Sequence, residues 1–88
     1  MTSTMTAVSN TELSFEEVAA LEVKTSISEV IKNAMQEQNV SIRGLSARVG
    51  MKHPQIVRIT KCENYTIDTL VKVLDGLNLE VIVQPKRL

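Results

Sequence analysis

Aromatic residues, cysteine and histidine are all scarce in this chain of 88 residues. Phe15 and Tyr65 are the only aromatic residues, too few for the stacking platforms that bind single-stranded nucleic acid. Cys62 is the only cysteine and His53 the only histidine, so we expect no internal disulfide and no metal site. No glycine-rich phosphate loop or other cofactor motif is present. Catalysis by Cys62 would need a base and an orienting group beside it, so we expect neither an enzyme nor a cofactor.

Long apolar runs are absent as well. No run approaches the roughly 20 residues that a membrane helix needs, and the N-terminus lacks the basic and apolar regions of a signal peptide. With the single cysteine, these absences predict a cytoplasmic protein that has no membrane partner.

The chain does have positive charge gathered in one segment. Its ten basic and ten acidic residues cancel overall, yet residues 41–62 contain five basic residues and no acidic one. Residues 1–24 carry four glutamates against Lys24. A concentrated basic segment is typical of a phosphate-binding surface, although on charge alone a solvated face of a neutral protein fits equally well.

Residues 1–24 are predicted to form an N-terminal arm. The first ten residues are small and polar without any period, which predicts disorder. Ser14 followed by Glu17 is a capping box, which predicts a short helix near residues 14–22. This arm is either a loosely docked segment or an acidic, amphipathic element that binds a partner.

Residues 25–88 are predicted to form the folded domain. Ser26 and Glu29 make a second capping box, so we expect a helix from about residue 26 to residue 38, ended by Asn39. Its apolar residues recur at helical spacing and predict a core face, made of Ile27, Val30, Ile31, Ala34 and Met35.

The central stretch, residues 41–61, has the pattern of two short helices joined by a tight turn. Ser41 caps the first helix, Gly50 suits the turn, and Pro54 fits the first turn of the second helix. The apolar residues of both helices are expected to point inward: Ile42, Leu45, Val49, Ile56 and Ile59. That arrangement leaves the polar face of the second helix outside and predicts a helix-turn-helix that places this helix in the major groove.

A last helix and a strand close the chain. Thr66 caps the helix, whose predicted buried residues are Ile67, Leu70, Val71, Leu74 and Leu77. Residues 79–84 are rich in β-branched residues and predict a strand. A single strand needs a partner for its backbone groups. The simplest partner is the same strand of a second copy, although the N-terminal arm could supply one. We therefore expect a homodimer, joined through Leu79, Val81, Ile82 and Val83.

From about residue 26 to residue 84 the chain resembles the Xre/Cro/C1 family of helix-turn-helix repressors. The resemblance rests on the Ser41 cap, Leu45-Ser46, Val49-Gly50-Met51, Ile56, Arg58-Ile59 and the segment from Thr66 to Leu79. It implies a mainly α, lambda-repressor-like bundle of four to five helices whose C-terminal strand pairs across a homodimer. Within the family, TIDTLVKVLDGLNLEVIV is most similar to antitoxins of the HipB and HigA kind. Such proteins repress their own operon and bind a toxin encoded beside them.

The resemblance also implies roles for individual residues. His53, Pro54 and Arg58 match base-facing positions of the family, and Gln55 beside them can bond adenine or a phosphate. Arg43, Lys52 and Lys61 suit phosphate contacts. The chain departs from the family pattern at Ile42, Thr60 and Cys62, where the family often has Gln, Glu and Gly.

The sequence thus predicts a sequence-specific DNA-binding repressor that binds a palindromic operator as a homodimer. The antitoxin of a toxin–antitoxin pair is the particular role that the resemblance favours, with a toxin as a further partner. An orphan or phage-type regulator is the alternative, as is a protein–protein module that keeps the fold without binding DNA.

Overall fold

The computed structural model describes residues 14–86, which form four helices. They are α1 (Phe15–Glu37), α2 (Ile42–Val49), α3 (His53–Thr60) and α4 (Ile67–Gly76). Helix α3 contacts each of the other three, and α2 also packs on α4. The mainly helical class is as predicted. The predicted disorder of residues 1–10 lies outside the described residues.

Helix α1 is a single helix of 23 residues, where the sequence predicts two. The capping box at Ser14 is confirmed: the Ser14 hydroxyl accepts from the Glu17 N–H at 3.1 Å, and the Ser14 N–H donates to Glu17 Oε1 at 2.8 Å. Ser26 as the cap of a second helix is wrong, because it lies inside α1. Residues 15–37 contain no glycine or proline, so no residue in this range breaks the helix that Ser14 caps.

The ends of the helices follow the predicted local chemistry. The hydroxyls of Ser41 and Thr66 cap α2 and α4 by accepting the N–H groups three residues ahead. Asn39 follows α1 with a φ of 56° and Asn78 follows α4 with a φ of 60°, the left-handed conformation that asparagine tolerates.

The core lies where the four helices meet. Its buried apolar residues are Ile31, Ala34, Met35, Leu45, Ile56, Ile59, Leu70, Val73, Leu74 and Leu77. Ile27, Ile42 and Val49 are only partly buried against it. Gly76 lets α4 approach α2, because a Cβ at this position would collide with Val49 Cγ1. Three residues predicted as core are instead at least half exposed: Val30, Ile67 and Val71.

Residues 79–86 follow α4 without regular secondary structure, and no strand is present in residues 14–86. The strand predicted at 79–84 is therefore not formed by one copy of the chain. Leu79 is partly buried against the core, whereas Val81, Ile82 and Val83 are exposed. Pairing of this segment between two copies stays a prediction.

Candidate DNA-binding surface

Helix α3 is fixed in orientation by two isoleucines. Ile56 and Ile59 are both fully buried, and residues three apart lie on the same side of a helix. The opposite side of α3 faces solvent, where His53, Gln55 and Arg58 are exposed. Pro54 is exposed in the first turn, where its missing N–H leaves no hydrogen bond unmade. The predicted outward face of α3 is thus present.

The turn between α2 and α3 is held by Ser46 and Gly50. Gly50 has a φ of 69°, a left-handed conformation that side chains disfavour. The N–H groups of Gly50 and Met51 both donate to the Ser46 carbonyl oxygen, and the Ser46 hydroxyl donates to the Met51 carbonyl oxygen. Together these bonds fix the angle between α2 and α3.

A groove of about 410 Å³ runs beside the exposed face of α3. Gln55 and Arg58 form one wall, and the far wall comes from the loop after α3 and the start of α4, with Asn64, Thr66 and Thr69. Of the four predicted base-reading residues, the structure brings Gln55 and Arg58 together in this groove. His53 and Pro54 lie at the beginning of α3, outside it.

Gln55 makes a contact within its own helix. Its Oε1 accepts a hydrogen bond from the Lys52 N–H at 3.3 Å and so caps the start of α3. Because the carbonyl oxygen of this amide is engaged, the NH₂ group is the half that faces outward for an acceptor such as a phosphate or a base edge. The sequence predicted the DNA-facing position but missed this capping role.

The three predicted phosphate contacts are exposed around α3. Lys52 is the N-cap residue of α3 and Lys61 its C-cap residue, and Arg43 lies in the first turn of α2. Arg48, which the charge count included in the basic segment, has another partner. Its Nη1 donates to the Gly76 carbonyl oxygen at 2.9 Å and to Gln38 Oε1 at 3.2 Å. Arg48 therefore caps the end of α4.

Sequence reasoning missed the residues of the far wall. Thr66 was recognised as a cap, and its hydroxyl does accept the Thr69 N–H at 3.1 Å, but its place opposite Arg58 depends on tertiary packing. Asn64 accepts a hydrogen bond from Lys24 Nζ at 2.6 Å, which joins α1 to this wall. Burial raises the pKa of the neighbouring Tyr65 phenol, with a smaller contribution from Cys62.

In the described part of the chain, no group of three or more His, Cys, Asp or Glu side chains is placed to hold a metal ion. Within those same residues, no helix has the length and apolar character needed to cross a membrane.

A capped helix, a left-handed glycine turn and a second helix with an exposed polar face define a helix-turn-helix protein, a class of DNA-binding regulator. The sequence model of the family described as "Helix-turn-helix domain" matches residues 10–84, and the chain belongs to that family. The match includes all of α1, although residues 1–24 were predicted to form a separate arm. A search of curated proteins found no match.

Proposed function

We propose that this protein is a sequence-specific repressor that binds a palindromic operator as a homodimer. The observation that carries the proposal is the pair of buried isoleucines, Ile56 and Ile59, which turn Gln55 and Arg58 outward into one groove. The guanidinium of Arg58 can make a bidentate contact to guanine O6 and N7, and such a contact discriminates by roughly 1–3 kcal/mol. His53 and Pro54 supply further base contacts, and Arg43, Lys52 and Lys61 supply phosphate contacts.

The test is selection of duplexes from a random-sequence pool, followed by titration of the selected duplex with Arg58→Ala. We expect this variant to lose roughly 10- to 100-fold in affinity for the selected sequence, corresponding to that discrimination, while its affinity for unrelated duplex changes much less. Lys72→Ala is the matched control, because it also removes one positive charge but lies on the exposed side of α4. If the selected sequence binds Arg58→Ala as well as it binds wild type, α3 does not read the DNA through Arg58.

We further propose that the repressor is the antitoxin of a toxin–antitoxin pair and represses its own operon. The resemblance to HipB- and HigA-type antitoxins favours this role. A second surface suited to a protein partner supports it: residues 14–23 are all exposed, with Phe15 at 91%. Phe15, Val18 and Leu21 recur at helical spacing, accompanied by Glu16, Glu17 and Glu22. A toxin with an apolar groove and basic flanks fits this stripe.

The antitoxin role is tested by coexpressing the chain with the product of each reading frame beside its gene. We expect one product to be toxic alone and to copurify with the wild-type chain. Phe15→Ala is expected to weaken that complex more than Ala19→Ser, a small change in the same exposed part of α1. If neither neighbouring product is toxic, an orphan or phage-type regulator is the better assignment.

The second candidate function is a protein–protein module that does not bind DNA. The zero net charge of the chain and the exposure of Phe15 favour it. A salt series separates the two functions, because neutralised phosphates make the affinity for DNA fall steeply with salt. No binding to any duplex at low salt would favour the module.

A further inference from the structure

One side of α1 carries apolar residues that the rest of the described chain covers only in part. Val23 is 59% exposed and Val30 52% exposed, with the partly buried Ile27 between them. Residues spaced by four and three lie along one side of a helix. This α1 stripe (Val23, Ile27 and Val30) is separate from the stripe of Phe15, Val18 and Leu21 at the start of the helix.

Ile27 and Val30 of the α1 stripe line a groove of about 220 Å³ whose other wall is the segment after α4. The residues around this groove are Ser26, Ile27, Val30, Leu74, Leu79, Glu80, Val81 and Ile82. The segment is itself exposed, with Ile82 at 71% and Val83 at 92%. The Leu79 N–H donates to the Leu74 carbonyl oxygen at 2.8 Å, but beyond it the backbone N–H groups up to Gln84 have no partner among residues 14–86.

We propose that a second copy of this chain covers the α1 stripe and the segment 79–84 together. The proposal rests on the proposed repressor function, because a palindromic operator requires two reading helices. It deepens that function by adding α1 to the interface. A stable dimer buries about 800 Å² on each partner. Pairing of six residues alone falls short of that area, and the α1 stripe supplies more of it.

The character of the surface selects a second copy as its occupant. A two-fold interface places the same patch of both copies face to face, so the patch must be complementary to itself. Apolar residues satisfy this condition, and Glu80 is the only charged residue around the groove. The stripe of Phe15, Val18 and Leu21 is not complementary to itself, because its flanking glutamates would face glutamates of the other copy and repel them.

The sequence of the segment also selects a register. Antiparallel pairing with Ile82 on the two-fold axis places Val81 opposite Val83 and Glu80 opposite Gln84. Apolar side chains then face apolar ones, and the glutamate faces an amide that can donate to it. Moving the axis to residue 81 would place Glu80 opposite Ile82, and moving it to residue 83 would place Ile82 opposite Gln84, so either shift sets a polar side chain against an apolar one.

The experiment is sedimentation equilibrium of the full chain without DNA, across a wide range of concentration. We expect a dimer that Val30→Glu weakens by on the order of 100-fold, because a carboxylate would be buried without a partner. Val18→Glu is the matched control: it makes the same substitution on the same helix, at a residue 41% exposed on a different side. Ile82→Glu is the second variant, since an exposed side chain can change without loss of the fold. Circular dichroism verifies that each variant is folded.

Cross-linking tests the register. With Cys62 changed to Ser, oxidation of an Ile82→Cys variant should yield a disulfide-linked dimer, since the two Cα atoms would lie within about 4.4–6.8 Å across the axis. Val18→Cys in the same background should yield none.

A wild-type chain that stays monomeric at every concentration overturns the proposal, whether the groove is then filled by another protein or stays open. So does a dimer that Val30→Glu fails to weaken, because the α1 stripe then lies outside the interface, and so does a dimer that Ile82→Glu fails to weaken. These outcomes are distinct from failure of the proposed function. A dimer of the expected kind that binds no duplex would refute the repressor and leave the interface standing. A chain that is monomeric in solution but binds a palindromic duplex as two copies would refute the interface and leave the repressor standing.

Discussion

The hydroxyl of Ser28, in the middle of α1, donates a hydrogen bond of 2.8 Å to the carbonyl oxygen of Thr60, the last residue of α3. Ser28 is the only buried polar residue of the described chain, with 2% of its surface exposed. The carbonyl groups at the end of a helix have no partner within the helix. Ser28 therefore satisfies one of these groups and joins α1 to the DNA-facing helix.

Replacing Ser28 by alanine should lower the free energy of unfolding by about 1–2 kcal/mol. The lost hydrogen bond contributes roughly 0.5–1.5 kcal/mol, and the partly buried Thr60 carbonyl would be left without a partner. Urea denaturation monitored by circular dichroism measures the change. Ser26→Ala, an exposed serine two residues away, should change stability by less than about 0.5 kcal/mol. Equal changes for both variants would mean that the Ser28 hydrogen bond adds nothing to stability beyond the effect of alanine on helix propensity.

Arg43 and Arg48 lie on the same short helix, but we predict opposite roles for them. Arg48→Ala removes the bonds to the Gly76 carbonyl oxygen and Gln38, and should cost about 1 kcal/mol of stability without changing the salt dependence of DNA binding. Arg43→Ala should leave stability within about 0.5 kcal/mol and reduce the slope of log K against log salt by about 1. Denaturation and salt titration of both variants test the assignment. If Arg48→Ala changes the slope as Arg43→Ala does, Arg48 contacts DNA.

Glu17 gives the start of α1 a dependence on pH. Hydrogen bonds from the N–H and hydroxyl of Ser14 lower the pKa of Glu17 below its ordinary value of 4.5. A carboxylate with a lowered pKa stabilises the fold above the pKa of the unfolded chain, and this contribution is lost as the pH falls through the lowered pKa. The helical signal of Glu17→Gln should therefore match that of wild type at low pH and fall below it near neutrality. Glu16→Gln, which leaves the capping box intact, is the control, and an identical pH profile for Glu17→Gln and wild type would contradict the capping role.

The helix-turn-helix could be predicted because its signals are local. Ser41, Gly50 and Pro54 each fix the backbone within one or two turns, and Ile56 and Ile59 set the orientation of α3 by spacing alone. The continuity of α1 was missed because a serine followed three residues later by a glutamate matches the capping-box pattern wherever it occurs. Inside a helix that began at Ser14, the same two residues simply continue it.

What could not be predicted depends on where one helix lies against another. Helical spacing placed Val30, Ile67 and Val71 in the core, yet spacing shows only that apolar residues share a side and not which edge of that side is covered. The positions of Asn64 and Thr66 opposite Arg58 depend in the same way on how α4 packs. The charge of Arg48 was visible in the sequence, but its bond to the end of α4 was not.

Cys62 and Gly50 give a pair of opposed predictions about the left-handed conformation. Cys62 follows α3 with a φ of 61°, and its N–H and that of Glu63 donate to the Ile59 and Arg58 carbonyl oxygens. A side chain in this conformation costs roughly 1 kcal/mol or more, and glycine avoids the cost. Cys62→Gly should therefore stabilise the fold, by up to about 1 kcal/mol after the extra entropy of the unfolded glycine is subtracted.

Gly50→Ala should destabilise the fold by about 1 kcal/mol. Its φ is 69°, and a Cβ at this position would meet no atom within 4 Å, so no steric collision adds to the backbone strain. Thermal and urea denaturation of both variants measure the two effects. Cys62→Ala is the control for the thiol, because it removes the 3.8 Å contact between Sγ and Thr25 Oγ1 and keeps the Cβ. Both variants lack the thiol, so the difference between them reports the cost of a Cβ in the left-handed conformation. If Cys62→Gly is less stable than Cys62→Ala, that cost is small and the prediction for Cys62→Gly is wrong.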